Sequence, residues 1–217
     1  MLGGEPSVRV EVGGPGAMPT ATPQAYFEVS LRLLAREGRN GLRIGRLCAA
    51  LGVTSGSFYH HFGSWEGFVA ALLEHWEREE TARLVELVNA SDDALERVTR
   101  MKYLALTVPH EAETAIRAWA TVDPTVDAAQ RAVDRGRVRA LGDVLAPVIT
   151  DDAVRERLAS LGVAVLAGHQ QIAGVTPVEL SSLLDEFELV VRAHADGVWD
   201  PVATPVAPWR ADAREDR

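Results

Sequence analysis

The sequence predicts an all-α protein of about nine helices, a three-helix head on a larger helical body, and three observations predict it. Apolar residues recur at three- and four-residue spacing from Tyr26 to Val191, with no alternating β run of useful length and no internal repeat. Helix-start signals punctuate the chain, among them Thr22-Pro23, Ser64, Ser91-Asp92-Asp93, Asp151-Asp152 and Thr176-Pro177. Two short helical stripes meet across a single glycine in the stretch from Arg43 to Phe62, RIGRLCAALGVTSGSFYHHF, which is the layout of a helix-turn-helix.

The elements follow in order. Residues Met1 to Ala21, rich in Gly and Pro and without periodicity, read as a mobile arm; Arg9 is its one cation, too little for a minor-groove arm. The first helix starts with a hydroxyl at N-cap (Thr22) and proline at N1 (Pro23). It runs through Tyr26, Phe27, Ser30, Leu31 and Leu34 and stops at Gly38. In the second, Ile44, Leu47, Cys48 and Leu51 lie at i, i+3, i+4, i+7, and Gly52 ends it in a left-handed residue. Val53 plugs the turn, Thr54 caps a third helix, and Phe58 and Phe62 make that helix's apolar side. What remains, Thr54, Ser55, Gly56, Ser57, Tyr59 and His60, is a small polar face able to enter a major groove.

Ser64 caps a long fourth helix, Trp65 to about Val88, that joins head to body. A fifth opens at Ser91-Asp92-Asp93 and closes at Pro109, a sixth covers Glu111 to Thr121, and a seventh runs from Pro124 to before Pro147. The eighth starts at Asp151-Asp152 and covers Arg155 to about Ala173. The ninth carries a full capping box, Thr176, Pro177 and Glu179, ahead of Leu180, Leu183, Leu184, Phe187, Val190 and Val191. The expected divisions are therefore an arm at 1–21, a helix-turn-helix head at 22–67, a helical body at 68–199, and a tail at 200–217.

Charge is distributed to match. The 217 residues carry a net charge of −9, which argues against indiscriminate coating of nucleic acid. Between Thr22 and Gly63, however, five arginines (Arg32, Arg36, Arg39, Arg43, Arg46) stand against Glu28 and Glu37, so the head is locally basic. The single cysteine, Cys48, lies on an apolar stripe as a core residue and cannot form an intramolecular disulfide; a reducing cytoplasm is the expectation. No apolar run is long enough for a membrane span, and the N-terminus has no signal-peptide pattern. A nucleophile elbow, P-loop, dinucleotide glycine pattern, HExxH helix and paired Cys ligands are all absent, and the six histidines do not cluster, so no enzyme, cofactor or metal is expected. The run Arg131, Arg135, Arg137 and Arg139, interleaved with Asp127, Asp134 and Asp143, reads as a solvated face.

The motif TSGSFYHHFGSWEGF, preceded by RLCAALGV and followed by a long helix, resembles the TetR family of helix-turn-helix transcriptional regulators over about Tyr26 to Leu73. The resemblance implies a homodimer whose two heads read a palindromic operator in double-stranded DNA at half-sites roughly 34 Å apart. It implies a repressor released by a small-molecule effector bound in the body. By position, the DNA contacts fall on Arg43, on Thr54, Ser55, Ser57, Tyr59 and His60, and on the start of the fourth helix at Trp65. Where the family commonly has lysines, this chain has Ser55 and Trp65, with Arg39, Arg43 and Arg46 as partial compensation. The ligand cavity would lie among helices between about Phe68 and Ala173; the candidate lining is His75, Trp76, Met101, Tyr103, Trp119, His169 and Gln170, chosen by residue type. The dimer face would use Leu158, Leu161, Val165 and Ile172 with Gly162 and Gly168, together with the ninth helix. The alternative reading is a helical ligand-binding or scaffold protein with weakened DNA binding.

Overall fold

The computed structural model describes residues 21–89, 91, 93–172 and 177–195. Among them are nine α-helices and one 3-10 turn, and no strand: α1 Pro23–Glu37, the turn Gly38–Gly41, α2 Ile44–Leu51, α3 Ser55–Phe62, α4 Trp65–Asn89, α5 Ala94–Thr107, α6 His110–Ala120, α7 Pro124–Leu145, α8 Asp152–Gln171 and α9 Pro177–Ala195. Residues 1–20 of the expected arm, the expected tail, and Thr176 of the expected capping box lie outside the described residues.

Local side-chain caps set most of the starts. Thr22 Oγ1 accepts from Ala25 N–H at 3.3 Å, Ser64 Oγ from Gly67 N–H at 3.0 Å, Asp93 Oδ1 from Glu96 N–H at 3.0 Å and Asp151 Oδ1 from Val154 N–H at 2.9 Å. The Asp151 cap starts α8 at Asp152, the start that Asp151-Asp152 signals, ahead of the span from Arg155 expected for its body. Thr54 departs from expectation: it occupies the N-cap of α3, but its hydroxyl accepts no helix N–H.

The head closes around Tyr26, which is fully buried, with the rings of Phe58 and Phe62 edge-on at 5.8 and 5.3 Å. That core does not end at the head. It continues through Phe68, Leu72 and Trp76 of α4 into Ala115, Ile116 and Trp119 of α6 and Val126 and Val133 of α7, so one apolar cluster crosses the expected boundary at 67/68. The arginine of the 3-10 turn, Arg39, lies over the Trp119 ring at 5.7 Å, and the Trp119 indole N–H donates to Asp123, the N-cap of α7.

In the body, α7 lies between α4 and α8. Leu141, Val144 and Leu145 of α7 meet Val98 of α5, Leu158 of α8, and Phe187 and Val191 of α9. Gly162 has an intramolecular purpose here. A Cβ at that position would stand 2.6 Å from Leu141 Cδ2 and 3.0 Å from Phe187 Cζ, so its bare backbone lets three helices of the same subunit converge. Leu158 is likewise buried in the subunit's own core, and Val165 packs partly against the cluster of Val108, Leu166, Leu180 and Leu184, whereas Leu161 of α8, Ile172 just past its end, and Val178, Leu183 and Leu189 of α9 are exposed.

Candidate nucleic-acid interface and body cavity

The two helices of the motif are held at a fixed angle by the turn between them. Gly52 sits at φ 66°, ψ 29°, a left-handed conformation that costs a residue with a Cβ free energy, and Val53 N–H reaches back to the Cys48 carbonyl at 3.0 Å. The Cys48 thiol lies 3.6 Å from the Thr54 carbonyl, to which it donates, tying the end of α2 to the start of α3; burial pushes that thiol's pKa up. At the other end, Gly63 at φ 70° turns the chain into α4. A Cβ on Gly67 would fall 2.3 Å from the Phe62 carbonyl oxygen, so the start of α4 presses directly against the end of α3.

With Phe58 fully buried against Tyr26 and Phe68, the opposite side of α3 must face outward. Thr54, Ser55 and His60 are exposed, Tyr59 is half-exposed, and Arg43 stands exposed at the N-cap of α2. Two expected members of this face are placed differently. The Ser57 hydroxyl is enclosed on the head side of α3, near the Tyr26 hydroxyl, because Ser57 falls on the flank that meets α1. The Trp65 ring is half-buried, stacked at 6.5 Å on Phe58 and tilted at 5.4 Å from Phe68, so it supports α3 from beneath. The compensating arginines are also partly committed: Arg46 pairs with Glu37, and Arg39 lies over Trp119.

The body contains a partly open cavity bounded by α4, α5, α7, α8 and α9. Its wall is mostly aliphatic, including Leu84, Val98, Met101, Val108, Leu141 and Leu166, with Glu80 and Arg137 as a buried polar end. Of the seven expected lining residues, the structure brings only Met101 to this cavity. Tyr103 points into solvent, 71% exposed, because two residues along a helix turn the side chain by roughly 200° from Met101. His75, Trp76 and Trp119 belong to the core shared by head and body: His75 stacks on Phe27 at 4.8 Å, and burial lowers its pKa. His169 lies edge-on to His110 at 4.9 Å, and Gln170 belongs to a buried ion cluster.

That cluster was not expected. Arg137 donates through Nη1 to Glu113 Oε2 at 3.0 Å and through Nη2 to both Glu80 Oε2 at 2.7 Å and Glu113 Oε1 at 2.5 Å. The Gln170 amide donates to Glu113 at 2.5 Å, the Arg117 guanidinium donates to Gln170 at 2.7 Å, and Arg117 holds Asp134 with two hydrogen bonds at 2.7 and 2.8 Å. Burial opposes the charge on Arg137, but the hydrogen bonds and charges of Glu113 and Glu80 outweigh it and hold the guanidinium protonated more firmly than usual; burial raises the Glu80 pKa. The reading of Arg137 as part of a solvated run is therefore corrected. A signal was present: Arg137 lies four residues after Val133 and four before Leu141, on the buried stripe of α7. Among the described residues no three His, Cys, Asp or Glu side chains are placed to hold a metal ion, and no helix is long and apolar enough to cross a membrane.

Comparison with known proteins places this geometry. Residues 27–72 match the family of bacterial regulatory proteins, tetR family. Over 85 residues, 39% of this chain, the sequence is 36% identical to the HTH-type transcriptional repressor AcnR of Corynebacterium glutamicum and 35% identical to that of Corynebacterium efficiens; the match spans 42% of each relative's length. Over most of the chain the fold is similar to solved structures. A transcriptional regulator from Rhodococcus sp. Rha1 superposes with a TM-score of 0.67 at 21% identity, covering 79% of this chain and 96% of that one. A putative transcriptional regulator from Saccharomonospora viridis, solved in complex with choline, gives a TM-score of 0.61 at 19% identity over 76% of this chain and 94% of its own.

Proposed function

We propose that this chain, whose residues 27–72 match the tetR family, is a TetR-family helix-turn-helix repressor that reads a palindromic operator as a homodimer and is released when a small molecule enters the cavity of its body. The observation that carries the DNA-reading part is the outer side of α3: Thr54, Ser55, Tyr59 and His60 are exposed on a helix anchored by the buried Phe58, Arg43 is exposed at the N-cap of α2, and the first N–H groups of α3 are uncapped by Thr54. Helix N-termini and short polar side chains of this kind suit phosphate oxygens and base edges.

The release step is supported by the continuity of α4. Glu80 and Leu84 of α4 line the cavity, and Trp76, one turn before Glu80, lies in the core that also holds Phe27, Phe58 and Trp119. A molecule pushing on Glu80 and Leu84 acts on the same rigid helix that supports the recognition helix, so its displacement is transmitted to the head. A coupling of about 2–3 kcal/mol weakens operator binding roughly thirty- to 150-fold. Dimerisation through α8 and α9 is supported by the exposed apolar side chains Leu161, Ile172, Val178, Leu183 and Leu189.

A fluorescence anisotropy titration with DNA from the region flanking the protein's own gene tests the DNA-reading part. Saturable binding of a palindromic segment, competed poorly by unrelated DNA, is expected; equal affinity for both would favour the ligand-binding or scaffold alternative.

A further inference from the structure

The ends of the body cavity differ in chemistry. Its walls are aliphatic, and its buried polar end consists of Glu80 and Arg137; the other charged lining residues, Lys102 and Glu188, are each paired with a more exposed partner, Asp185 and Arg192. Around the polar end, three carboxylates (Glu80, Glu113, Asp134) face two guanidiniums (Arg117, Arg137). The sixth charge is Arg83, 44% exposed, which reaches Glu80 Oε1 only at 3.4 Å. Arg137 already serves Glu113 twice and Glu80 once, so an incoming anion would have to displace a buried carboxylate. Glu80, by contrast, is the least neutralised member, with one hydrogen bond from Arg137 and a 3.4 Å contact to Arg83, and it stands at the cavity wall; burial raises its pKa.

Resting on the reading of this cavity as the effector site, we propose that it takes an amphipathic amine, an apolar chain lying along Leu84, Met101 and Leu166 with a protonated amino group donating to Glu80. The ammonium brings the cluster the positive charge that Arg83 supplies only from the surface. The chain replaces water along the aliphatic wall. A carboxylate head on the same chain would stand beside the Glu80 carboxylate with the Arg137 guanidinium already committed, and a hydroxyl head would supply a donor without a charge.

Octylammonium, octanol and octanoate share one tail and differ only in the head, so isothermal titration of the full-length protein with each isolates the head. Octylammonium is expected to bind roughly ten- to a hundredfold more tightly than octanoate, the worth of a hydrogen bond to a charged group in a buried site, with octanol between them. Glu80→Gln is expected to bring the three within roughly threefold, a difference that electrostatics no longer supports. Met101→Trp, which narrows the aliphatic end and leaves the ion cluster intact, is expected to abolish octylammonium binding and so locates it in the cavity. Octanoate binding as tightly as octylammonium, no binding by any of the three, or unchanged binding in Met101→Trp would overturn the assignment. Repeating the titrations with operator DNA present separates the two proposals: octylammonium that binds in the cavity and leaves DNA affinity unchanged upholds the amine assignment and rejects release.

Discussion

Replacing Arg137 by methionine is expected to destabilise the protein by about 3–5 kcal/mol, the usual cost of removing one partner from a buried ion pair. Glu113 is fully buried and Glu80 nearly so; in the variant Glu113 keeps only the Gln170 amide and Glu80 only the distant Arg83. Methionine fills most of the volume, so the loss comes from unpaired charge rather than from a cavity. Against a total stability of about 5–15 kcal/mol this is a large fraction. For a chain of this length it corresponds to a fall in Tm of roughly 6–20 °C. Urea unfolding followed by tryptophan fluorescence reads it directly, because Trp76 and Trp119 are buried in the shared core. Adding Glu113→Gln to Arg137→Met is expected to recover part of the loss, since it removes one of the stranded charges. A loss below about 1 kcal/mol in the single variant would show that solvent reaches the cluster and that it contributes only what a surface pair does.

Three further outcomes are expected. Tyr59→Ala is expected to weaken operator binding at least roughly tenfold with the fold intact, whereas Ser57→Ala, whose hydroxyl is enclosed on the head side, changes it by less than about threefold; anisotropy titrations compare the two, and equal losses would contradict the placement of Ser57. Leu161→Glu on the exposed side of α8 is expected to give monomers by size-exclusion chromatography with light scattering, because it places a charge in an apolar contact; a stable dimer would move the interface elsewhere. Burial lowers the His75 pKa against the upward pull of Glu79 and Glu28, so the folded protein binds fewer protons there than the unfolded chain. Stability should therefore fall as pH drops through the unfolded histidine value of about 6.5, and urea midpoints of His75→Gln should decline less than wild type between about pH 7.5 and 5.5; parallel profiles would refute it.

Much of the architecture is decided by short-range chemistry and is therefore legible in the residues themselves. Thr22-Pro23, Ser64 and Asp151 start helices because their side-chain oxygens accept nearby N–H groups, and Gly52 ends α2 because only glycine enters the left-handed region without cost. The helix-turn-helix and its outward Tyr59 follow from spacing alone, since burying Phe58 fixes the opposite side of an eight-residue helix. The interior of the body is different. Tyr103 and Met101 are two residues apart and equally suited to a pocket by type, yet one is in solvent and the other on the cavity wall, because the phase of α5 against α7 and α9 is set by long-range packing. Gly162 looked available to a second subunit, and the approach of Leu141 and Phe187 claims it for its own. Glu80, Glu113 and Arg137 come from three helices at separations of 24 and 57 residues, and no local pattern encodes their meeting. Charges that far apart in the chain are paired only when the helices carrying them are packed, so the polar end of the cavity, and the chemistry it selects, belong to the tertiary structure.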